Sequence, residues 1–386
     1  MKKSLIVLFI FLGTFYLLFF LNDEIPKNKI IIGQSASLSG STQDIGIEFI
    51  KGANAYFNYV NDLGGINGRE IELITLDDSY EPQYAIQNTN ELIKNKKVFA
   101  MFGEVGTPSS EAVLPIIKEY NIPFLTPLTG VDSVRDNESG LIFNLRNSYK
   151  DETKAMIQYL VTELKLKKIA VFYQDDSYGK SGYNGVKDAL KEYELEIIEE
   201  GRYRRNTLSF HNALLNINHV NPEAVIIIGT QKPSAFFIKE AKKLGMNNTK
   251  FCTVSFAGGD TFLKELNGDT NNIIFSQVVP LPWDNSHEAV KEYQEVYGKY
   301  NTNSNYSFLS FEGFLSAKLV AKALEKSGID LTRKTFLEAF NKLDKNSLAG
   351  FEIKFSKNNN EALNEIYILD FYDSKYRVLK KVKIDD

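Results

Sequence analysis

Short apolar runs rich in Ile, Val and Phe alternate with amphipathic stretches of helical length along nearly the whole chain, and this rhythm limits the fold more than any other feature. Residues 30–33 read as a strand. Residues 45–63 read as a helix with Ile45, Phe49, Ala53, Phe57 and Val60 on one stripe. Gly64-Gly65-Ile66-Asn67-Gly68 ends that helix and turns the chain. Strand 71–76, helix 84–94, strand 98–102, helix 110–120 and strand 122–125 follow. After 141–145 a second series begins: strand 169–173, helix 181–193, strand 197–198, helix 208–217, strand 225–228, helix 233–244 and strand 251–254. Residues 273–279 and helical segments 287–300, 308–326 and 331–343 precede a β-rich tail at 351–355, 366–371 and 378–382. The tail is too short for a domain and must join an earlier sheet. Such alternation implies an α/β fold of mostly parallel, doubly wound sheets with helices on both faces.

The first 30 residues stand apart. Lys2 and Lys3 precede an apolar run from Ser4 to Leu21, which Asn22-Asp23-Glu24 stops. As a helix the run would reach about 27 Å, close to the roughly 30 Å hydrocarbon core of a bilayer. No small-residue cleavage site follows it, and the only cysteine, Cys252, is too distant for a lipid anchor. An uncleaved signal anchor over 1–28 is therefore favoured over a cleaved signal peptide, with the rest of the chain sent outward. Setting aside 30 residues, with four of the 45 basic and two of the 49 acidic side chains, leaves 356 residues of net charge −6. One core rarely grows past about 250–300 residues, so two lobes are expected. A mildly acidic balance argues against nucleic acid as partner, and one cysteine forbids an intrachain disulfide.

Signatures of catalysis fail. Gly179-Lys180-Ser181 resembles the end of a phosphate loop, but Gln174 stands where glycine is needed. His211, His219 and His287 have no metal-ligand spacing. Arg202, Arg204 and Arg205 read as a solvated strand edge. No catalytic residue, metal or cofactor is expected, and the chain reads as a non-enzyme.

In parallel sheets, ligands bind beyond the carboxyl ends of the strands, where helix N-termini present free N–H groups. Here those ends carry Ser35-Ala36-Ser37-Leu38-Ser39-Gly40-Ser41, then Gly103-Glu104-Val105-Gly106-Thr107-Pro108-Ser109-Ser110, then Thr126-Pro127-Leu128-Thr129-Gly130. Any one of these serines or threonines could be a helix cap. Three hydroxyl-rich loops at one sheet edge point to a polar ligand head.

Several of these segments carry a family resemblance: Ser39-Gly40 with Gly46, Lys51-Gly52-Ala53, the run from Asn61 through Gly64-Gly65-Ile66-Asn67-Gly68 to Arg69, Asp77-Asp78, the run from Ile122 to Pro127, and Asp176-Ser177-Tyr178-Gly179. Over nearly all of 29–386 the chain resembles the branched-chain amino-acid-binding family of periplasmic solute-binding proteins of ABC importers. The resemblance implies the type I periplasmic binding fold, two lobes joined by three crossovers, placed near 144–147, 278–280 and 349–350. Lobe 1 would then be 29–146 plus 279–349, and lobe 2 would be 147–278 plus 350–386. It also implies a small-molecule ligand in the cleft between lobes, near Ser39, Thr107, Ser109, Leu128, Thr129, Gly130, Tyr178, Phe256 and Ala257. ABC permease subunits would be partners, and the protein would work at the extracytoplasmic face, tethered by its N-terminal segment. A sensory protein reporting to a separate kinase or chemoreceptor chain is the alternative.

The chain also departs from the family. Its amino-acid binders place an acidic residue where this chain has Phe256 or Ala257, while Asp260 reads as the cap of the next helix. Burying an ammonium group without a paired charge is costly, so an α-amino acid is disfavoured as ligand. Tyr80, Phe256 and Trp283 would suit an apolar or planar ligand portion.

Overall fold

The computed structural model describes residues 28–136, 138–257, 259–353, 355–356 and 359–384. The apolar N-terminal segment lies outside the described residues, and no described helix is long and apolar enough to cross a membrane.

Two sheets organise the chain. The first is parallel throughout, in the order β2-β1-β3-β4-β5, where β1 is Lys29–Ala36, β2 Glu70–Asp77, β3 Ala100–Phe102, β4 Phe124–Leu125 and β5 Ile142–Phe143. Around it pack α1 (Gln43–Asp62), α2 (Pro82–Lys94) and α3 (Thr107–Glu119). The second sheet contains β6 (Ile169–Gln174), β7 (Ile197–Tyr203), β8 (Ala224–Ile228), β9 (Lys250–Thr253) and β10 (Ile273–Gln277), all parallel. The tail adds β11 (Glu365–Tyr372) and β12 (Lys375–Lys383) antiparallel at the β10 edge, giving the order β12-β11-β10-β9-β8-β6-β7. Its helices are α4 (Tyr149–Gln158), α5 (Ser177–Lys191), α6 (His211–His219), α7 (Gln231–Lys243) and α8 (Asp260–Glu265). Every residue of β6, β8 and β10 is buried, as strands covered on both faces must be.

After β10 come α9 (Glu288–Tyr300), α10 (Phe308–Lys326) and α11 (Arg333–Phe340); α9 and α10 pack against α1, and α11 against α10. Helices α1 and α10 pack so closely that Gly52 and Gly313 have no room for a side chain: a Cβ would fall 1.8 Å from the Ser310 carbonyl oxygen and 2.0 Å from that of Phe49.

Residues 351–355, expected as a strand, form none among those described. Phe351, Ile353 and Phe355 are buried, so the alternating pattern was real but serves as padding. Phe355 still packs on the first lobe, its ring 5.3 Å from Phe143 and 5.5 Å from Phe340. Next, 360–363 run beside 144–145: Asn144 N–H donates to the Asn360 carbonyl at 2.7 Å, and Leu363 N–H to that of Leu145 at 2.9 Å. The chain enters the second sheet only at Glu365.

Both sheets reverse strand order once. In the first, β1 lies between β2 and β3; in the second, β6 lies between β7 and β8. The carboxyl ends flanking these switch points form the crevices where parallel sheets take ligands.

Candidate functional site

In the first lobe the crevice is built at the head of α3. Gly106 (φ 91°) precedes Thr107 and Pro108, which open the helix; a Cβ on Gly106 would lie 2.2 Å from the Tyr80 ring. Thr107, at the first helical position, shares a 2.6 Å hydrogen bond with Thr129, and both are fully buried. Ser109 is buried with no hydrogen-bond partner for its hydroxyl. Leu128 has its N–H on the Glu104 carbonyl at 2.7 Å and its carbonyl taken by Gly106 N–H at 3.2 Å, which ties the two loops together. Gly130 must be glycine because a Cβ would meet the Tyr149 backbone nitrogen at 2.6 Å. Ser79, Tyr80 and Thr126 adopt left-handed backbone (φ 53°, 62° and 47°), a strain concentrated at functional loops.

In the second lobe, Asp176 caps α5 by accepting from Tyr178 N–H and Gly179 N–H. Tyr178 is fully buried and its hydroxyl donates to the Gly229 carbonyl at 3.1 Å, spanning the β6–β8 switch point. Tyr203 donates to Gln174 at 3.1 Å and accepts from Thr230 N–H at 3.0 Å. Phe256 and Ala257 follow β9 and are buried.

The two crevices face each other and touch. Tyr80 of the first lobe receives a 3.3 Å hydrogen bond from Gln174 of the second, and its ring lies 6.4 Å from that of Phe256. Within the second lobe, the Tyr149 and Tyr178 rings are 5.1 Å apart and those of Tyr178 and Phe256 5.2 Å. At the rim, Glu81 pairs with Arg205 at 2.9 Å and with Asn206 at 2.7 Å, and Ser41 donates to Asn206 at 2.6 Å. Arg205 is thus an interlobe tie and not the solvated edge expected for it. The lobes stand closed.

Ser39 is not part of the cluster: its hydroxyl is held by Asp77 at 2.6 Å and Ser79 at 2.7 Å, where it fixes the first loop. Asp260 opens α8 after the cap Gly259 and accepts from Tyr376 at 3.1 Å, so it does not cap the helix as expected. Trp283 is partly exposed and stacks on Tyr376 at 5.2 Å, away from the aromatic cluster.

Sequence reasoning missed a buried network of charged groups centred on Arg146 and Glu152. Arg146 is buried with its Nε 3.0 Å from Glu312 and its Nη2 donating to Ser255 at 2.5 Å. Glu152 accepts from Ser255 N–H at 2.7 Å, the Ser255 hydroxyl at 2.8 Å and the Ser276 hydroxyl at 2.5 Å. Burial works against the charge on Arg146, but Glu312 and Glu152 outweigh it and raise its pKa above the ordinary value. Burial pushes the Glu312 carboxyl up to about 7. One clue was visible: a lone arginine in the short segment between the two series.

A second buried pair lies beneath the first-lobe crevice. Asp78 accepts from Ser35 at 2.7 Å, and burial lifts its pKa to about 6. Burial and the neighbouring Asp78 hold Glu104 well above the usual carboxylate range, and neither of its oxygens has a well-formed hydrogen bond. Carboxyls raised on folding contribute stability below their unfolded values, near pH 4, that is lost as pH rises through the folded values. Glu104→Gln is accordingly expected to stabilise the protein at pH 8 by about 1–3 kcal/mol, the cost of an unsatisfied buried polar group, and to change little at pH 4. Urea unfolding at both pH values checks this.

Comparison with known proteins fits this geometry. Residues 29–375 match the model of a family described as periplasmic binding protein. Among curated relatives, an amino acid binding protein of Pseudomonas aeruginosa is 26% identical over 220 residues, 56% of this chain and 58% of that protein. A Leu/Ile/Val-binding protein homolog of Brucella abortus is 23% identical over 370 residues, 90% of each chain. Among solved structures, a possible leucine/isoleucine/valine-binding protein of Rhodopirellula baltica superposes with a TM-score of 0.86 at 29% identity, over 92% of this chain and 96% of that one. A branched-chain amino acid transporter substrate binding protein of Streptococcus pneumoniae shares the fold, with a TM-score of 0.79 at 21% identity over 92% of this chain and 100% of that one. With a match across most of its length, this chain belongs to the periplasmic binding protein family, alongside relatives named for leucine, isoleucine and valine.

Proposed function

We propose that the protein is the extracytoplasmic solute-binding component of an ABC importer, closing its lobes on one small molecule and presenting it to permease subunits. The observation that carries this reading is the meeting of two switch-point crevices, where Tyr80 of the first meets Gln174 and Phe256 of the second. Ligand binding would shift the population toward the closed form, since contacts from both lobes exist only there. The lobes would divide as the family resemblance implies, with 29–146 and 279–349 forming one body. The basic-then-apolar start of the chain supports a tether to the membrane.

Among the expected contact residues, Thr107, Thr129, Gly130, Tyr178 and Phe256 are the ones we assign to the cleft; Leu128 and Ala257 would shape it through their backbones, and Ser109 would lie behind it. Thr107→Val and Tyr178→Phe each remove one hydroxyl without changing bulk. Each is expected to weaken ligand binding by about tenfold, near 1.4 kcal/mol, and, because each hydroxyl is hydrogen-bonded in a buried site, to lower stability by about 1 kcal/mol. Titration calorimetry on ligand identified by native mass spectrometry provides the check, and unchanged affinity in both variants would move the site elsewhere.

A further inference from the structure

One edge of the cleft is fastened by side chains that reach from lobe to lobe. Glu81 of the first lobe has both carboxylate oxygens taken by the second. Nη2 of Arg205 donates to Oε2 at 2.9 Å, and the Asn206 amide donates to Oε1 at 2.7 Å. Asn206 accepts in turn from the Ser41 hydroxyl at 2.6 Å, back in the first lobe. Glu81 stands at the cap position of α2, yet its side chain makes no cap bond there, which leaves the carboxylate for Arg205. Asn206 adopts left-handed backbone (φ 60°), which asparagine tolerates better than most residues.

Through Tyr80 this contact reaches into the cleft. The Arg205 guanidinium lies 5.8 Å from the centre of the Tyr80 ring, within range of a cation–π attraction. The Gln174 amide donates to the Tyr80 hydroxyl at 3.3 Å and to the Asp176 carboxylate at 2.6 Å. The second lobe therefore holds Tyr80 by its face and by its hydroxyl, and both holds exist only when the lobes meet. Asp176 also lies 3.8 Å from Nη1 of Arg205. That pair is within the second lobe and survives opening, so the guanidinium stays aimed at the first lobe and loses less freedom on closing. Arg202, two strand positions earlier than Arg204, pairs instead with Asp175 and Glu200 of its own lobe.

We propose that Arg205 is a positioning residue for lobe closure: clasped to Glu81 and set over Tyr80, it holds the lobes shut and sets how long a bound solute stays. This rests on the solute-binding reading and deepens it. No solute atom takes part in the clasp, so the free chain visits the closed form transiently as well. The Arg205 and Glu81 side chains are 23% and 33% exposed, so salt screens the pair in part. A closed form held this way has a shorter life as ionic strength rises.

Cysteines placed at Ile86 in α2 and Leu215 in α6, both exposed, carry a donor and an acceptor dye for single-molecule energy transfer in the free full chain. The protein is expected to alternate between a closed and an open state. Arg205→Gln and Glu81→Gln are each expected to shorten the closed dwell about fivefold. The double variant is expected to do no more than either alone, because both act through one contact. Arg205→Lys, which keeps the charge but loses the planar fork, is expected to recover part of the dwell. Raising NaCl from about 0.1 M to about 1 M is expected to shorten the dwell of the unsubstituted chain and to leave that of the Gln variants unchanged. A merely structural role for Arg205 would lower the melting temperature and leave the dwell alone.

Equal dwells in the unsubstituted chain and both Gln variants overturn the inference, as do additive effects in the double variant or a free chain that never closes. Each of these results leaves the solute-binding reading intact where native mass spectrometry of the protein from its host finds a bound small molecule. Dwells that follow Arg205 in a protein carrying no small molecule would strike that reading and leave the clasp standing.

Discussion

Arg146→Gln is expected to destabilise the protein by about 3–5 kcal/mol, the usual consequence of removing one partner from a buried ion pair. Arg146 comes from the first passage between lobes, Ser255 from the end of β9 and Glu312 from α10. Its guanidinium therefore ties three segments that are far apart in sequence. Without it, Glu312 and Glu152 remain buried with no counter-charge. Glu312, already pushed up to about 7 by burial, would take up a proton in the variant. The double substitution Arg146→Gln with Glu312→Gln is expected to recover much of the loss, because one unpaired carboxylate goes with it. Urea unfolding of the single and double variants measures both effects. A loss below about 1 kcal/mol in the single variant would place the pair among those that contribute nothing net.

The second large effect is expected at the contact between α1 and α10. Gly52→Ala would drive a methyl group to within 1.8 Å of the Ser310 carbonyl oxygen, and backbone in a packed helix cannot step aside as a flexible side chain can. Overpacking of this kind costs about 1–3 kcal/mol and sometimes more, while the gain from replacing a helical glycine by alanine is only about 1 kcal/mol. We expect a net loss of about 2 kcal/mol, a cost at the top of that range less the helical gain, because Gly313 opposite is equally tight. Gly298, in α9, is the internal control: the nearest atom to its added Cβ would be the Tyr306 hydroxyl at 3.6 Å. Gly298→Ala is therefore expected to stabilise by about 0.5–1 kcal/mol. Thermal unfolding of the two variants should show shifts of opposite sign; equal shifts would mean that glycine packing does not set the α1–α10 distance.

The pattern of local elements was legible because period and composition are local. The apolar stripe at Ile45, Phe49, Ala53, Phe57 and Val60 is buried as its spacing required, and the tail joined an existing sheet as its shortness demanded. Boundaries shifted where a side chain, not periodicity, decides them: Asp176 starts α5 at Ser177, four residues before the expected Ser181. Residues 351–355 failed differently, since burial of alternate side chains looks the same for a strand and for a strap lying in a groove. The buried Arg146–Glu312 pair was the least legible part. Nothing local to Arg146 says that Glu312 will be its partner, because that contact depends on α10 returning to the first lobe. Ser39 makes a related point: a serine in a strand-end loop can serve the loop itself, and here its hydroxyl is held by Asp77.

The claim that everything else depends on is that ligand brings the two lobes together. Tyr84 and Leu208 are exposed and stand on opposite sides of the Glu81–Arg205 tie, while Cys252 is buried and would not compete for labels. Cysteines placed at these two sites and spin-labelled give an interlobe distance by pulsed electron paramagnetic resonance. The measurement would be made before and after addition of candidate small solutes, with occupancy followed by native mass spectrometry. The expected result is a broad or long distance distribution that collapses to one short distance as a compound becomes bound. An unchanged distribution in a protein shown to be fully occupied would contradict closure around a solute.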